Sequence, residues 1–334
     1  MPTALVTGAT GLVGMHLVPR LRHGGWSVRA LVRDVARART IGLGDAALVE
    51  GDVLDAAAFS RAADGCDAVF HAAAVITPRG GWEAYRRPNV DGTANAIAAA
   101  SGAGARLVHV SSVAVYGATG RYSADGRPTD ESTPPGRIPD DAYYARSKRE
   151  SEALVLEAQR TGRLWATAVR PCVLYGPHDR QFVPRIGRLL RFGVAPVIAG
   201  GTNTLAIVHA ANVADGMVRA AEHDDANGKV YNLANDGSVS ARAFFELAAE
   251  GLGRRVRVVS VPWRVARAVF GAIRTIAPIV MGDRFTATMS ASLDFLGRDN
   301  PFSSKRARRE LGWEPPVDPE RGIVDAFRWW TAHR

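Results

Sequence analysis

Six short apolar runs punctuate the first 171 residues, and amphipathic stretches lie between several of them. The runs are "TALVTG" (3–8), "SVRALVR" (27–33), "ALVEGD" (47–52), "DAVFHAAA" (67–74), "ARLVHVSS" (105–112) and "LWATAVRP" (164–171). Helical patterns mark 12–23, about 82–101 and 141–160. A seventh run, "KVYNLAND" (229–236), follows a helical stretch at 211–222. Alternation of this kind constrains the fold more than any other feature, because parallel strands must be joined by crossovers and helices are the usual crossovers. The chain is therefore predicted to be α/β, with a doubly wound parallel sheet covered by helices on both faces.

The texture changes between and after these runs. Residues 118–140 are rich in Gly, Pro, Ser and Asp and read as a long loop, a length at which loops are often functional. Beyond about 236 the pattern is mainly helical, closing with "RGIVDAFRWWTAHR". The expected organisation has a sheet domain at 1–175, to which 205–236 returns. A smaller, mainly helical substrate-binding lobe is built from 176–204 and 237–310, and 311–334 is a C-terminal helix.

Composition narrows the class further. Hydrophobic content of 47% and charged content of 22% are ordinary for a soluble globular protein. "MPTALVTGATGLVG" has no basic n-region followed by an apolar stretch, so no signal peptide is expected. No uninterrupted apolar run reaches the roughly 18 residues that a spanning helix needs. Cys66 and Cys172 form neither a disulfide framework nor a metal spacing, and the eight histidines include no H-x-x-x-H pair. A cytoplasmic, metal-free protein is expected. The net charge of +9 raises nucleic acid as a partner, but the densest basic run, "KRARRE" (305–310), carries no interleaved aromatics and reads as a solvated helix face.

"TGATGLVG" sets Gly8, Gly11 and Gly14 in a G-x-x-G-x-x-G spacing directly after the first strand, with Thr10 inside the same turn. Glycines there allow a tight turn and close approach of backbone to a pyrophosphate at the next helix's N-terminus. The position within a strand–turn–helix unit favours a dinucleotide site, and with it a Rossmann-type sheet, over a purely structural turn. The end of the second strand bears on which dinucleotide. An acid about 20 residues on would bond a ribose 2′-hydroxyl, and an arginine would accommodate a 2′-phosphate. The strand ends Val32, Arg33, Asp34, and counting alone does not choose between Arg33 and Asp34.

"YYARSK" (143–148) holds two tyrosines and one of only three lysines among 42 basic residues. Lysine is a compact point charge with rotatable donors, unlike arginine's planar fork. It suits a site that needs a small cation beside a phenol.

Taken in order, the motifs resemble the extended short-chain dehydrogenase/reductase family over nearly the whole chain. The resemblance rests on the glycine pattern, "GDVLD" (51–55), "HAAA" (71–74), "NVDGT" (89–93), "SSVAVYG" (111–117), "YARSK" (144–148) and "RPCVLYGP" (170–177), with a late "FSSKRARRELGW" (302–313). It implies that Tyr144 is the proton donor or acceptor, with Lys148 one turn later on the same helix face. The ammonium is expected to lower the Tyr144 pKa and to reach the nicotinamide ribose hydroxyls. Ser112 matches the serine that bonds the reacting oxygen, Ser111 is the weaker candidate, and Tyr143 is a decoy whose i+4 partner is Ser147. The resemblance also places Asp52 and Val53 at the adenine and Ala72 and Ala73 along the ribose and phosphates. Pro171 and Val173 fall beside the nicotinamide. Asn89 either assists cofactor binding or packs a helix, and His71 and His209 are fixtures of the fold.

Within the family the closest patterns are the 3β-hydroxysteroid/sterol dehydrogenase branch, through 202–223, and the dihydroflavonol reductase branch, through "VRD" at the second strand. In the latter the acidic position falls on Val32 and leaves Arg33 beside the 2′ group. NADP(H) is therefore the expected cofactor, with NAD(H) as the other option. The implied activity interconverts a ketone and a secondary alcohol on a lipophilic small molecule. The alternative is a nucleotide-sugar epimerase or dehydratase with tightly bound NAD(P), against which the missing R-x-F-N pattern counts. Read as a helix, 261–278 gathers Arg264, Arg267 and Arg274 on one face, opposite Val265, Val269, Phe270, Ile273 and Ile276. The apolar side either packs on the core, lines an apolar pocket or meets a membrane surface peripherally. A homodimer is left open.

Overall fold

A computed structural model describes residues 1–43, 46–76, 80–117, 128–234, 237–269, 271 and 295–334. Each of the seven runs contains a strand. These are β1 (Thr3–Thr7), β2 (Ser27–Val32), β3 (Ala47–Glu50), β4 (Ala68–His71), β5 (Arg106–Val110), β6 (Ala166–Pro171) and β10 (Val230–Leu233). They form one parallel sheet in the order β10-β6-β5-β4-β1-β2-β3. β4 and β6 are buried along their whole length, which is why they read as continuous apolar runs rather than alternating ones. The order reverses between β1 and β4, where Thr7 lies beside His71 at the strands' C-terminal ends. In open α/β sheets that crevice is where ligands bind.

Two apolar layers flank the sheet. On one side α1 (Leu12–His23) and α8 (Ala210–Glu222) bury Leu17, Leu21, Val213 and Met217 with Val6 and Phe70. On the other, α3 (Ala56–Ala63), α5 (Gly92–Ala103) and α6 (Tyr143–Arg160) bury Phe59, Ile97 and Val155 with Leu5 and Val69. Pro19 lies inside α1, on the helix's exposed side.

A third cluster underlies the smaller lobe. There α7 (Phe182–Leu190), α9 (Ala241–Gly251) and α11 (Pro319–Ala332) bury Val183, Ile186, Phe244, Phe245 and Phe327. The Trp330 ring sits over Gly187 so closely that any Cβ there would overlap it. Two small parallel sheets lie outside the main one: β7 (Val173–Tyr175) with β9 (Ile207–His209), whose side chains enter both neighbouring cores, and β8 (Val194–Ile198) with β11 (Arg257–Val261). The basic run 305–310 lies in α10 (Lys305–Leu311), where Ala307 is buried and Lys305, Arg308 and Arg309 are exposed.

The stretch 261–278 departs from the predicted helix. Val261 ends β11, helix runs over 263–269, and Phe270, Ile273, Arg274 and Ile276 lie outside the described residues. Within the described turns Ala266 is the buried residue, whereas Val265 and Val269 are each 49% exposed. The two valines therefore do not pack on the core as the sequence allowed. Residues 118–127 of the long loop are likewise outside the described set.

Candidate active site

The glycine turn joins β1 to α1 at the sheet's switch point. Gly8 has φ +68°, which glycine adopts without steric cost, and a Cβ on it would lie 2.7 Å from Ala73 N. A Cβ on Gly14 would overlap the Gly8 carbonyl oxygen and the Ala9 backbone. Gly11 N donates to Gly8 O at 2.8 Å, and Gly11 starts α1 with no side chain capping its first N–H groups. Thr10 is half-buried in this turn. A small-residue wall, Ala72 and Ala73, faces the turn, and Ala73 N donates to Thr7 Oγ1 at 3.3 Å. Open backbone donors at a 12-residue helix N-terminus, in a cradle that side chains would fill, fit a dinucleotide pyrophosphate.

The structure separates Arg33 from Asp34. Asp34 caps α2 (Val35–Ala38), accepting from Arg37 N at 2.8 Å, so its carboxylate is engaged by its own helix. Arg33 stays exposed with its Nε 4.0 Å from Asp52 Oδ2. Val32, the last residue of β2, is buried. Asp52 accepts from Leu54 N at 2.9 Å, and the Val53 side chain packs over Gly92 while its carbonyl accepts from Asn95 at 2.9 Å.

The candidate reacting groups come from two elements. After β5 the chain turns at Ser112, whose Oγ accepts from Ala114 N at 3.2 Å and also hydrogen-bonds Tyr144. Tyr144 and Lys148 lie one turn apart in α6, and Lys148 Nζ donates to Val110 O at 2.7 Å. Burial lowers the ammonium's pKa to about 8, against the opposing pull of Glu152. Burial also raises the Tyr144 phenol above its ordinary value, and the Ser112 hydrogen bond offsets only part of that. The expected lowering of Tyr144 by Lys148 is therefore reversed, because desolvation of the phenolate outweighs the stabilising contacts. Tyr143 turns instead to an aromatic cluster with Trp82 and Tyr85, at ring distances of 6.3 and 6.0 Å. Ser111 Oγ is buried without a hydrogen-bond partner.

Several other residues hold the site in place. Asn89 accepts from Val75 N at 2.8 Å and donates to Val75 O at 3.0 Å and Ser147 Oγ at 2.9 Å. Its amide thus braces the strand-four loop against α6 and acts on that loop from behind. His71 bonds Thr7 at 2.8 Å and Thr93 at 3.2 Å, and burial lowers its pKa to about 3. His209 caps α8 and is likewise lowered by burial to about 3. Both are neutral fixtures rather than bases. Pro171 is buried and Val173 half-buried where β6 passes into β7.

Sequence reasoning missed the layer behind Lys148. Glu152 and Arg170 form a buried two-bonded ion pair at 2.9 and 2.6 Å, and Arg170 also donates to Tyr116 Oη at 2.9 Å. The i, i+4 step from Lys148 to Glu152 was the available signal. Arg149 donates to Val115 O and to Gly136 O, both at 2.6 Å, tying the Ser112 turn to the loop that follows it.

Comparison with known proteins agrees with this geometry. Residues 4–234 match the sequence profile described as the NAD dependent epimerase/dehydratase family. The chain is 34% identical over 327 residues to 4-hydroxy-2-methyl-3-oxo-4-farnesyl-3,4-dihydroquinoline-1-oxide ketoreductase of Stigmatella aurantiaca, covering 97% of this chain and 95% of that one. It is 30% identical over 328 residues to 2-alkyl-3-oxoalkanoate reductase of Stenotrophomonas maltophilia (strain K279a), covering 96% of each. The solved structure of MoeE5 in complex with UDP-glucose and NAD superposes with a TM-score of 0.71 at 25% identity, over 99% of both chains.

Proposed function

The chain belongs to the NAD-dependent epimerase/dehydratase family, within the extended short-chain dehydrogenase/reductases, and from that premise we propose an NADP(H)-linked reductase of a lipophilic ketone. One observation carries the reading: a protonated, half-buried Tyr144 bonded to Ser112, with a buried ammonium one helical turn away. The two reductase relatives named above support a ketone bearing a long or prenylated chain.

The glycine cradle would hold the pyrophosphate, Arg33 a 2′-phosphate, and Lys148 the ribose hydroxyls near the reacting carbon. When bound, the reduced dinucleotide supplies the hydride that the carbonyl carbon accepts. This chain's residues handle the proton. Ser112 Oγ shares a hydrogen bond with the Tyr144 hydroxyl, and the pair can hold the carbonyl oxygen between them. Tyr144 gives its proton to that oxygen as negative charge builds there, and the resulting phenolate is reprotonated from solvent. The phenol is in its acid form at neutral pH, the form that reduction requires. Lys148, buried and held by Val110, would stabilise the transient phenolate more strongly than an ammonium in water could.

The fold likeness to a protein solved with UDP-glucose keeps a nucleotide-sugar substrate as the competing reading. The test is NADPH oxidation against a panel of 2-alkyl-3-oxoacids and prenylated cyclic ketones, with UDP-glucose run in parallel. Turnover of the lipophilic ketones alone is expected. Turnover of the nucleotide sugar with every ketone inert would overturn the proposal.

A further inference from the structure

Two segments far apart in sequence come together on the outside of the smaller lobe. Residues 182–201 carry Arg185, Arg188 and Arg191 and no acid. Residues 251–269 carry Arg254, Arg255, Arg257, Arg264 and Arg267, again with no acid. The parallel pairing of β8 with β11 sets Val194 beside Arg257 and Pro196 beside Val259. All eight arginines are exposed, and none makes an ion pair among the described residues. Of the neighbouring carboxylates, Asp179 is buried against the first N–H groups of α7 and Glu246 faces Arg242, which leaves Glu250 as one exposed acid beside eight arginines.

Apolar side chains project from the same two segments. Ten large hydrophobic residues are exposed among the described residues, and six of them lie here: Leu189, Phe192, Val194, Val259, Val265 and Val269. Phe192 is 69% exposed, with the Arg191 guanidinium 4.6 Å from its ring centroid. We infer that this face docks on an anionic lipid surface, with Phe192 and the aliphatic side chains entering the acyl boundary and the arginines meeting the phosphates. The chemistry favours this occupant over two others. A second copy would bring eight arginines against eight, and like charges across an interface oppose association. A nucleic acid would use the arginines but gain little from leucine and valines, which offer no face for a base to stack on. Contact would be peripheral, since no helix among the described residues is long and apolar enough to cross a membrane. The inference does not depend on the reaction.

The test is co-sedimentation of the full chain with vesicles of phosphatidylcholine and phosphatidylglycerol in roughly a 2:1 ratio, and with pure phosphatidylcholine vesicles. Binding to the mixed vesicles alone is expected. At about fivefold per arginine, the triple variant Arg185→Gln/Arg188→Gln/Arg191→Gln should bind about a hundredfold more weakly. Phe192→Ser should weaken binding to the mixed vesicles while leaving the melting temperature unchanged, since both sets of side chains are exposed. Three results would overturn the inference. The first is no sedimentation with mixed vesicles, and the second is equal sedimentation with neutral ones. The third is a concentration-dependent dimer, or binding to duplex DNA, that Phe192→Ser abolishes while vesicle binding persists.

Discussion

Tyr144 stands half-buried against Ser112, and its raised pKa makes it an acid that stays protonated through neutral pH. Positioned acid catalysis contributes about 10²–10⁴-fold, so Tyr144→Phe should lower kcat by that factor while NADPH affinity, read by fluorescence titration, is retained. Tyr143→Phe removes only a hydroxyl from a ring that packs on Trp82 and Tyr85, and its kcat should stay within about twofold of the parent. Reversed effects would put the proton donor one residue earlier. On the proposed reading, Lys148 supplies a pH dependence. With its pKa at about 8, the ammonium is lost as pH rises through that value, so NADPH affinity should fall between about pH 7 and 9. Lys148→Met should bind more weakly at pH 7 and show no such inflection; a parent enzyme with flat affinity over this range would count against the assignment. The linkage to folding has a definite sign. Between about pH 8 and the ordinary value of 10.5 the unfolded chain binds more protons at this site than the fold does, so its contribution to stability rises with pH across that window.

At the scale of elements, α6 holds the active-site layers in register. One helix carries Tyr144, Lys148 and Glu152 four residues apart, and Glu152 is fixed by Arg170 from the neighbouring β6. Arg170→Met would leave the Glu152 carboxylate buried and uncompensated, which costs about 3–5 kcal/mol. The double variant Glu152→Gln/Arg170→Met leaves no stranded charge and should recover a large part of that loss, as measured by the denaturation midpoints of the three proteins. A double variant no better than Arg170→Met would mean that the pair's packing, not its charge, is what matters. The legibility of these elements followed the range of their contacts. β1, β4 and α6 could be read because their apolar patterns and the spacing of Gly8, Gly11, Tyr144 and Lys148 are local. β8 and β11 could not, since each is five residues long and its partner lies some 60 residues away. The Glu152–Arg170 pair was hidden for the same reason: only the sheet brings its two halves together. The direction of the Tyr144 shift differed from the expected lowering because the sequence shows the nearby lysine but not the burial of the phenol.

At the scale of the whole molecule, the positive charge is unevenly placed. Eight arginines without an acid lie on the lobe segments 182–201 and 251–269, an amount comparable to the net charge of +9. The cofactor end depends on far fewer groups. At the β2 edge Val32 is buried, Asp34 is engaged as a helix cap, and Arg33 is left as the exposed cation at the strand end, facing Asp52 across 4.0 Å. On the proposed reading, Asp34 and Asp52 are held by backbone N–H groups, and Arg33 is the charge-assisted donor for a 2′-phosphate. A tenfold preference for NADPH over NADH corresponds to about 1.4 kcal/mol. Because a ligand that binds only the fold stabilises it according to its affinity, that difference should appear in thermal melts. At one shared concentration above both dissociation constants, NADPH should raise the melting temperature more than NADH does. Arg33→Ala should bring the NADPH shift down to the NADH shift while leaving the NADH shift unchanged. Equal shifts for the parent protein would reject Arg33 as the determinant of cofactor choice. An undiminished gap in the variant would move that role to another basic residue.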